Sequence, residues 1–237
     1  MVINDQKTNM SKSQINRQIA SVKAQTAGDL DHTQATGRRQ RRATETRLRL
    51  FRCALQLFAE RGYSGVTVEE ITEAADVGKG TFFNYFESKD HILGVMAEIQ
   101  LAKVTEAQAL AAEGKQTIQS VMHHLFLRAA EEPGRSPDLA RALISSFLAS
   151  EGVRNLIAHN MLKGRKMIAG IVAAGQKRGE IDCHLKKEKV AIQVLQAFMG
   201  TVLFWSLHEQ PSLNVWMEGS FQHFWRSIAV FGKRREL

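Results

Sequence analysis

The chain has 237 residues, 44% hydrophobic and 24% charged, a balance that builds a buried core and allows two helical domains or one large one. Its 2 cysteines, Cys53 and Cys183, cannot make a zinc site alone and form no CxxC pair, so a reduced, cytoplasmic setting is expected. The net charge of +8 is uneven: residues 1–43 hold 8 Lys and Arg against 3 Asp and Glu, residues 44–112 hold 7 against 10, and residues 113–237 hold 17 against 11.

Residues 1–43 are polar and poor in aromatics, and a disordered basic extension is expected there, with room for a short helix near 13–25. The segment has no apolar stretch of the signal-peptide type. Arg38, Arg39, Arg41 and Arg42 cluster at its end. They read either as a solvated tail or as an arm that follows a nucleic-acid backbone or enters a minor groove. A first helix is expected from about Thr44 to Arg61, with Leu48, Phe51, Leu55 and Phe58 as its buried stripe and Gly62 just past its end. Cys53 lies among bulky neighbours and reads as a structural thiol.

The stretch Thr67–Lys89 carries the most information. Thr67 with Glu70 three residues on makes a capping box, and Val66 with Ile71 a hydrophobic staple. Val68, Ile71 and Ala75 continue the helical period. Asp76-Val77-Gly78 breaks the helix, with the Gly free to turn left-handed. A second short helix from about Lys79 to Tyr85 would turn Phe82 and Phe86 inward and leave Lys79, Thr81 and Tyr85 outside. Two such helices make either an ordinary αα corner or a helix-turn-helix whose second helix enters a DNA major groove.

Phe58-Ala-Glu-Arg-Gly-Tyr63, Thr67-Val-Glu-Glu-Ile71, Val77-Gly-Lys-Gly-Thr81, Phe83-Asn-Tyr-Phe86 and Ser88-Lys89 stand in one register. Over these roughly 45 residues the chain resembles the DNA-binding domain of the TetR family of bacterial transcriptional regulators. The resemblance implies that Thr67, Lys79, Gly80, Thr81, Phe83, Asn84, Tyr85 and Lys89 face double-stranded operator DNA, and it sets the arginine cluster beside the backbone. Lys79 and Thr81 would reach base edges, and Lys89 would hold a phosphate at the start of the next helix. Phe83 and Tyr85 stand where family members often carry Tyr and His.

Beyond this stretch, helices are expected at about Ser88–Ala112, Gln116–Glu131, Pro137–Ser150 and Val153–Lys177, with a loop at Glu132–Pro137. The resemblance implies an effector pocket among them, and Met96, Met122, Phe126, Phe147 and Met161 are its candidate lining, each of which could equally be plain core. The most apolar stretch, Val190–Leu207, is broken by Gln193 and Gln196 and reads as a buried helix rather than a membrane span. Met217, Phe221, Phe224, Ile228 and Phe231 repeat at steps of four and three, a coiled-coil-like seam that serves a core or a subunit contact. In the family the last two helices pair between subunits, so Leu195, Met199, Val202, Met217, Phe221, Phe224 and Ile228 are the expected dimer contacts.

Elsewhere no GxSxG, P-loop, GxGxxG or HExxH motif occurs, and the adjacent His123 and His124 face different sides of a helix. No catalytic residue, cofactor or metal is expected. The expected fold is all-α, with about nine helices: residues 44–90 a three-helix helix-turn-helix domain, and 91–237 a larger ligand-binding and dimerisation bundle. The expected function is a homodimeric repressor released from its operator by a small apolar or aromatic effector. The rival reading is a small-molecule-binding or enzymatic helical bundle with an incidental helix-turn-helix.

Overall fold

The structure, a computed structural model, describes residues 34–208 and 210–230, with side chains from residue 40 onward. Among the described residues it is all-helical: α1 (Gln34–Arg61), α2 (Val68–Ala74), α3 (Lys79–Phe83), α4 (Lys89–Glu113), α5 (Ile118–Ala130), α6 (Pro137–Ala149), α7 (Glu151–Lys177), α8 (Lys187–His208) and α9 (Leu213–Ile228), with one 3-10 turn at Pro133–Arg135. The one extended pairing among them is an isolated bridge between Ile181 and Ala229. The chain divides into two compact units, residues 1–49 and 50–237.

In the first unit, α1 begins at Gln34 rather than near Thr44. The Arg, Gln and Ala residues there are strong helix formers, and extending an existing helix needs no new nucleus. Arg38, Arg39, Arg41 and Arg42 therefore belong to a helix and not to a flexible arm; Arg41 and Arg42 are exposed. The expectations for residues 1–33, for the Arg38 and Arg39 side chains, and for Phe231 fall outside the described residues.

In the second unit, local signals place most helix ends. Thr67 caps α2 by accepting from the Glu70 amide, while the Glu70 carboxylate accepts from the Thr67 amide at 2.7 Å. Ser88, Thr117, Ser136 and Ser150 cap α4, α5, α6 and α7 in the same way. Gly62, at φ 74°, ends α1 as expected. The turn between α2 and α3 differs from expectation. Asp76 takes the left-handed conformation at φ 51°, and Gly78 sits at φ −72° as the extended N-cap of α3. An Asp tolerates that region better than most side chains, so the glycine's freedom goes unused.

Two hydrophobic clusters hold this unit. The first joins Leu50, Ala54, Leu55 and Phe58 of α1 to Ile71, Phe82 and Phe86, and then to Ile92, Leu93, Val95 and Met96 of α4. Leu139 and Ala142 of α6 and Val153 of α7 close it. The second gathers the rest of α4 with α5, α7, α8 and α9 around Phe126, Ile168, Ile171 and Phe221. The long α4 runs through both. Helix α8, expected to be buried, is buried along one face only: Val190, Val194, Val202 and Trp205 turn inward while Ile192, Leu203, Phe204 and Leu207 are exposed.

Candidate nucleic-acid interface and interior cavity

Helix α3 is fastened from behind. Phe82 and Phe86 are fully buried, their rings 5.5 Å apart, and they fix which side of the helix faces solvent. On the outer side, Lys79, Gly80, Phe83 and Asn84 are exposed and Thr81 and Tyr85 half-buried. The side-chain polar groups of Thr81, Asn84 and Tyr85 have no hydrogen-bond partner among the described residues. Phe83 is 49% exposed, an unusual setting for a large apolar ring. A Cβ added at Gly80 would meet nothing within 4 Å, so nothing inside the unit requires a glycine there. Lys79 forms an ion pair with Glu69 across the two helices, and that hydrogen bond holds the Glu69 carboxyl below its ordinary range. The pair is solvent-screened and readily exchanged.

Two expected DNA contacts are spoken for inside the protein. Lys89 turns back rather than outward: its ammonium donates to the Tyr63 carbonyl at 2.8 Å and the Val66 carbonyl at 2.7 Å and lies 4.2 Å from the Tyr63 ring centre. Burial lowers its pKa. The free carbonyls ahead of α2 attract the cation more strongly than open solvent does. Thr67 spends its hydroxyl proton on Glu70, at 2.9 Å, and its lone pair on the Glu70 amide. Both residues shape the surface and neither presents a free donor.

Behind this surface lies a largely apolar cavity of about 210 Å³. Met96, Leu101, Phe126, Phe147, Met161, Phe198 and Met199 are among its walls, which come from α4, α5, α6, α7 and α8. Met96, Phe126, Phe147 and Met161 were expected there; Met122 is not in the wall but buried in the core beside it. Gln100 and Asn160 are the polar lining residues that sequence reasoning missed, because an isolated amide on an amphipathic helix carries no periodic signal. Leu93 and Met96 belong both to the cavity wall and to the cluster that seats Phe82 and Phe86. A polar path runs alongside: Asp90 accepts hydrogen bonds from the Tyr63 hydroxyl and, at 2.7 Å, from the hydroxyl of Ser150, the cap of α7.

Comparison with known proteins agrees with this geometry. Residues 50–96 match the family model for bacterial regulatory proteins of the tetR family, and residues 97–219 match the C-terminal domain of TetR/AcrR family transcriptional repressors. The chain belongs to the TetR family. The transcriptional repressor AcnR of Corynebacterium glutamicum is 31% identical over 161 residues, 68% of this chain and 79% of that protein. The repressor DhaR of a Mycobacterium species is 25% identical over 162 residues, 68% of this chain and 82% of that protein. Among solved structures, FadR of Bacillus subtilis in complex with stearoyl-CoA superposes with a TM-score of 0.63 at 20% identity, over 75% of this chain and 96% of FadR. As a TetR-family protein the chain is a DNA-binding transcriptional repressor.

Of the residues expected at a subunit contact in this TetR-family chain, all are buried or half-buried in the single subunit. Met217, Phe221, Phe224 and Ile228 of α9 are buried inside the subunit, where Phe221 and Phe224 pack on Phe126 with ring centres 5.3 and 6.0 Å away. Leu195, Met199 and Val202 line the cavity. The seam periodicity was that of a core helix. On α8 and α9 the large apolar side chains left outside are Ile192, Leu203, Phe204, Leu207 and Val215; Leu148 and Leu162 are exposed elsewhere in the unit. Among the described residues Asp182, Cys183 and His184 bring metal-sized donors within 4.8 Å, but on one solvent-facing turn in which Asp182 already accepts from the His184 amide.

Proposed function

We propose that this repressor acts as a cytoplasmic homodimer that releases its operator when an uncharged, apolar small molecule fills the cavity. The observation that carries the reading is the shared wall: Leu93 and Met96 border both the cavity and the cluster that seats the recognition helix α3. A ligand that repacks this wall changes the free energy of one α3 position relative to another, and only such a difference can shift DNA affinity. Thr81, Asn84, Tyr85, Phe83 and Lys79 on α3 and the turn after it read the major groove, and Arg38, Arg39, Arg41 and Arg42 add phosphate contacts. FadR, with its acyl-CoA ligand, supports the idea that this fold carries a ligand chamber.

The dimer is assigned to the exposed apolar face of α8 with Val215 of α9. By helical spacing Ile192, Leu203 and Leu207 fall on one side of α8, with Phe204 beside them, and exposed apolar side chains of this kind favour burial against a second copy. Two-fold symmetry then sets the recognition helices about 34–36 Å apart or somewhat more, and the operator is a rough palindrome. The test is fluorescence anisotropy with the DNA upstream of the protein's own gene, with and without a panel of neutral apolar compounds. Specific binding that a cavity ligand weakens supports the reading. Binding that no ligand shifts, although calorimetry shows the cavity occupied, refutes the release mechanism.

A further inference from the structure

We propose that the effector is a neutral hydrogen-bond donor, an alcohol or phenol on an apolar body, whose O–H is received by the side-chain carbonyl of Gln100. The inference rests on the reading of the cavity as the effector site. Its basis is the state of the two amides in the wall. None of the lining residues is ionisable and none carries a hydroxyl; Gln100 and Asn160 supply the side-chain hydrogen-bonding groups.

The Gln100 amide is oriented by its surroundings. Its Nε2 donates to the Ala129 carbonyl at 3.1 Å and to a Glu132 carboxylate oxygen at 3.3 Å. Both partners are acceptors only, so the nitrogen must face them and the flipped amide is excluded. Both N–H groups are thus spent, and Oε1 finds no partner among the described residues. Glu132 is itself held in place by an ion pair with the buried Lys103, which also donates to the Arg128 carbonyl. The anchor behind Gln100 is therefore fixed, and the free end of the side chain is an acceptor. Asn160 donates Nδ2 to the Leu156 carbonyl at 3.1 Å, one turn back on α7. That leaves its Oδ1 and one N–H, which can meet either kind of group. Taken together, the two amides in the wall are accordingly biased toward receiving a proton.

Charge is disfavoured in either sign. A carboxylate beside Gln100 would meet a carbonyl oxygen, with the Glu132 carboxylate one layer behind it. An ammonium would lose its hydration among Met, Leu and Phe side chains with no free counter-ion, since Lys103 already neutralises Glu132. A ligand without a donor leaves Oε1 buried and unpaired, a loss that weakens binding by roughly 10- to 100-fold against a matched donor.

The test is calorimetric titration of the full chain with two matched series: naphthol, methoxynaphthalene and naphthoate; decanol, its methyl ether and decanoate. Each is repeated with Gln100→Leu, and operator affinity is measured in parallel by anisotropy. In at least one series the hydroxyl compound is expected to bind about 10-fold or more tightly than its ether, with the carboxylate weakest, and Gln100→Leu is expected to close the gap. An ether equal to its alcohol, or a carboxylate tighter than both, overturns the donor assignment and leaves the cavity as an effector site. The expected order without any change in operator affinity overturns the effector reading and leaves the ligand preference standing. Failure of both series to bind overturns both. The wild-type series decide the matter even if Gln100→Leu folds poorly.

Discussion

Replacing Phe204 and Leu207 with Asp should split the dimer without unfolding the subunit. The two side chains are 57% and 62% exposed in the single chain, so their removal takes little from its core. In a symmetric contact each change counts twice. Burying a fully exposed Leu or Phe is worth roughly 1.5–3 kcal/mol, and these residues have about half of that left to gain. Two residues on two subunits then forfeit about 3–6 kcal/mol, before the cost of desolvating four carboxylates. At 1.4 kcal/mol per decade the dissociation constant rises by at least about a hundredfold. The control is Phe221→Ala, because Phe221 is only 2% exposed and packs against Phe126 and His123. That change should cost about 3–5 kcal/mol of folding free energy and leave the association mode intact. Analytical ultracentrifugation reads the mass and urea titration the stability. A double Asp variant that sediments as a dimer at micromolar concentration would refute the assigned face.

Other outcomes follow from single contacts. Gly80→Ala should leave the melting temperature unchanged or slightly raised, since the added Cβ meets nothing, yet weaken operator binding because DNA approaches closely there; unchanged affinity counts against that approach. Lys89→Met should lower stability by about 1–2 kcal/mol, the loss of two charge-assisted bonds at a half-buried site. It should leave the slope of log affinity against log salt unaltered, whereas a phosphate contact would take away about 0.9 per subunit. Replacing Arg38, Arg39, Arg41 and Arg42 together with Ala should flatten that slope by roughly two to three units per subunit if most of them meet phosphate, and weaken specific and random DNA alike. Glu70 is held below its ordinary value of 4.5, first by the Thr67 amide. Its stabilising effect is therefore complete above pH 4.5 and is lost as pH falls through the depressed value, so Glu70→Gln should make acid unfolding less steep.

Much of this molecule is written locally in its sequence. Thr67 with Glu70, Ser88 and Gly62 specify helix ends through bonds that span at most four residues, so their positions follow from spacing alone. The inward set Phe82 and Phe86 follows from a four-residue step, and with it the outward face of α3. The helix-turn-helix and the family resemblance rest on such short-range rules. The start of α1 was misplaced because a polar, arginine-rich run reads as unstructured until it is joined to a helix that is already nucleated.

What only the tertiary structure decided are the choices between partners. Phe221, Phe224, Leu195 and Met199 carry a sound apolar period, but a period states that a face is buried and not what buries it. Helix α8 is apolar on two sides, so its sequence could not say which side meets its own core and which is left exposed. Lys89 looked like a free cation until two carbonyls 23 and 26 residues earlier in the chain came within reach of it. The cavity is a residue of packing: five helices fail to fill one volume, and Met122 lies outside it while Met96 lines it. The Gln100 acceptor depends on a carbonyl and a carboxylate about thirty residues further along the chain. Local hydrogen bonds and periodicity are properties of neighbouring residues, while voids, orphaned acceptors and exposed faces are properties of how distant elements are brought together.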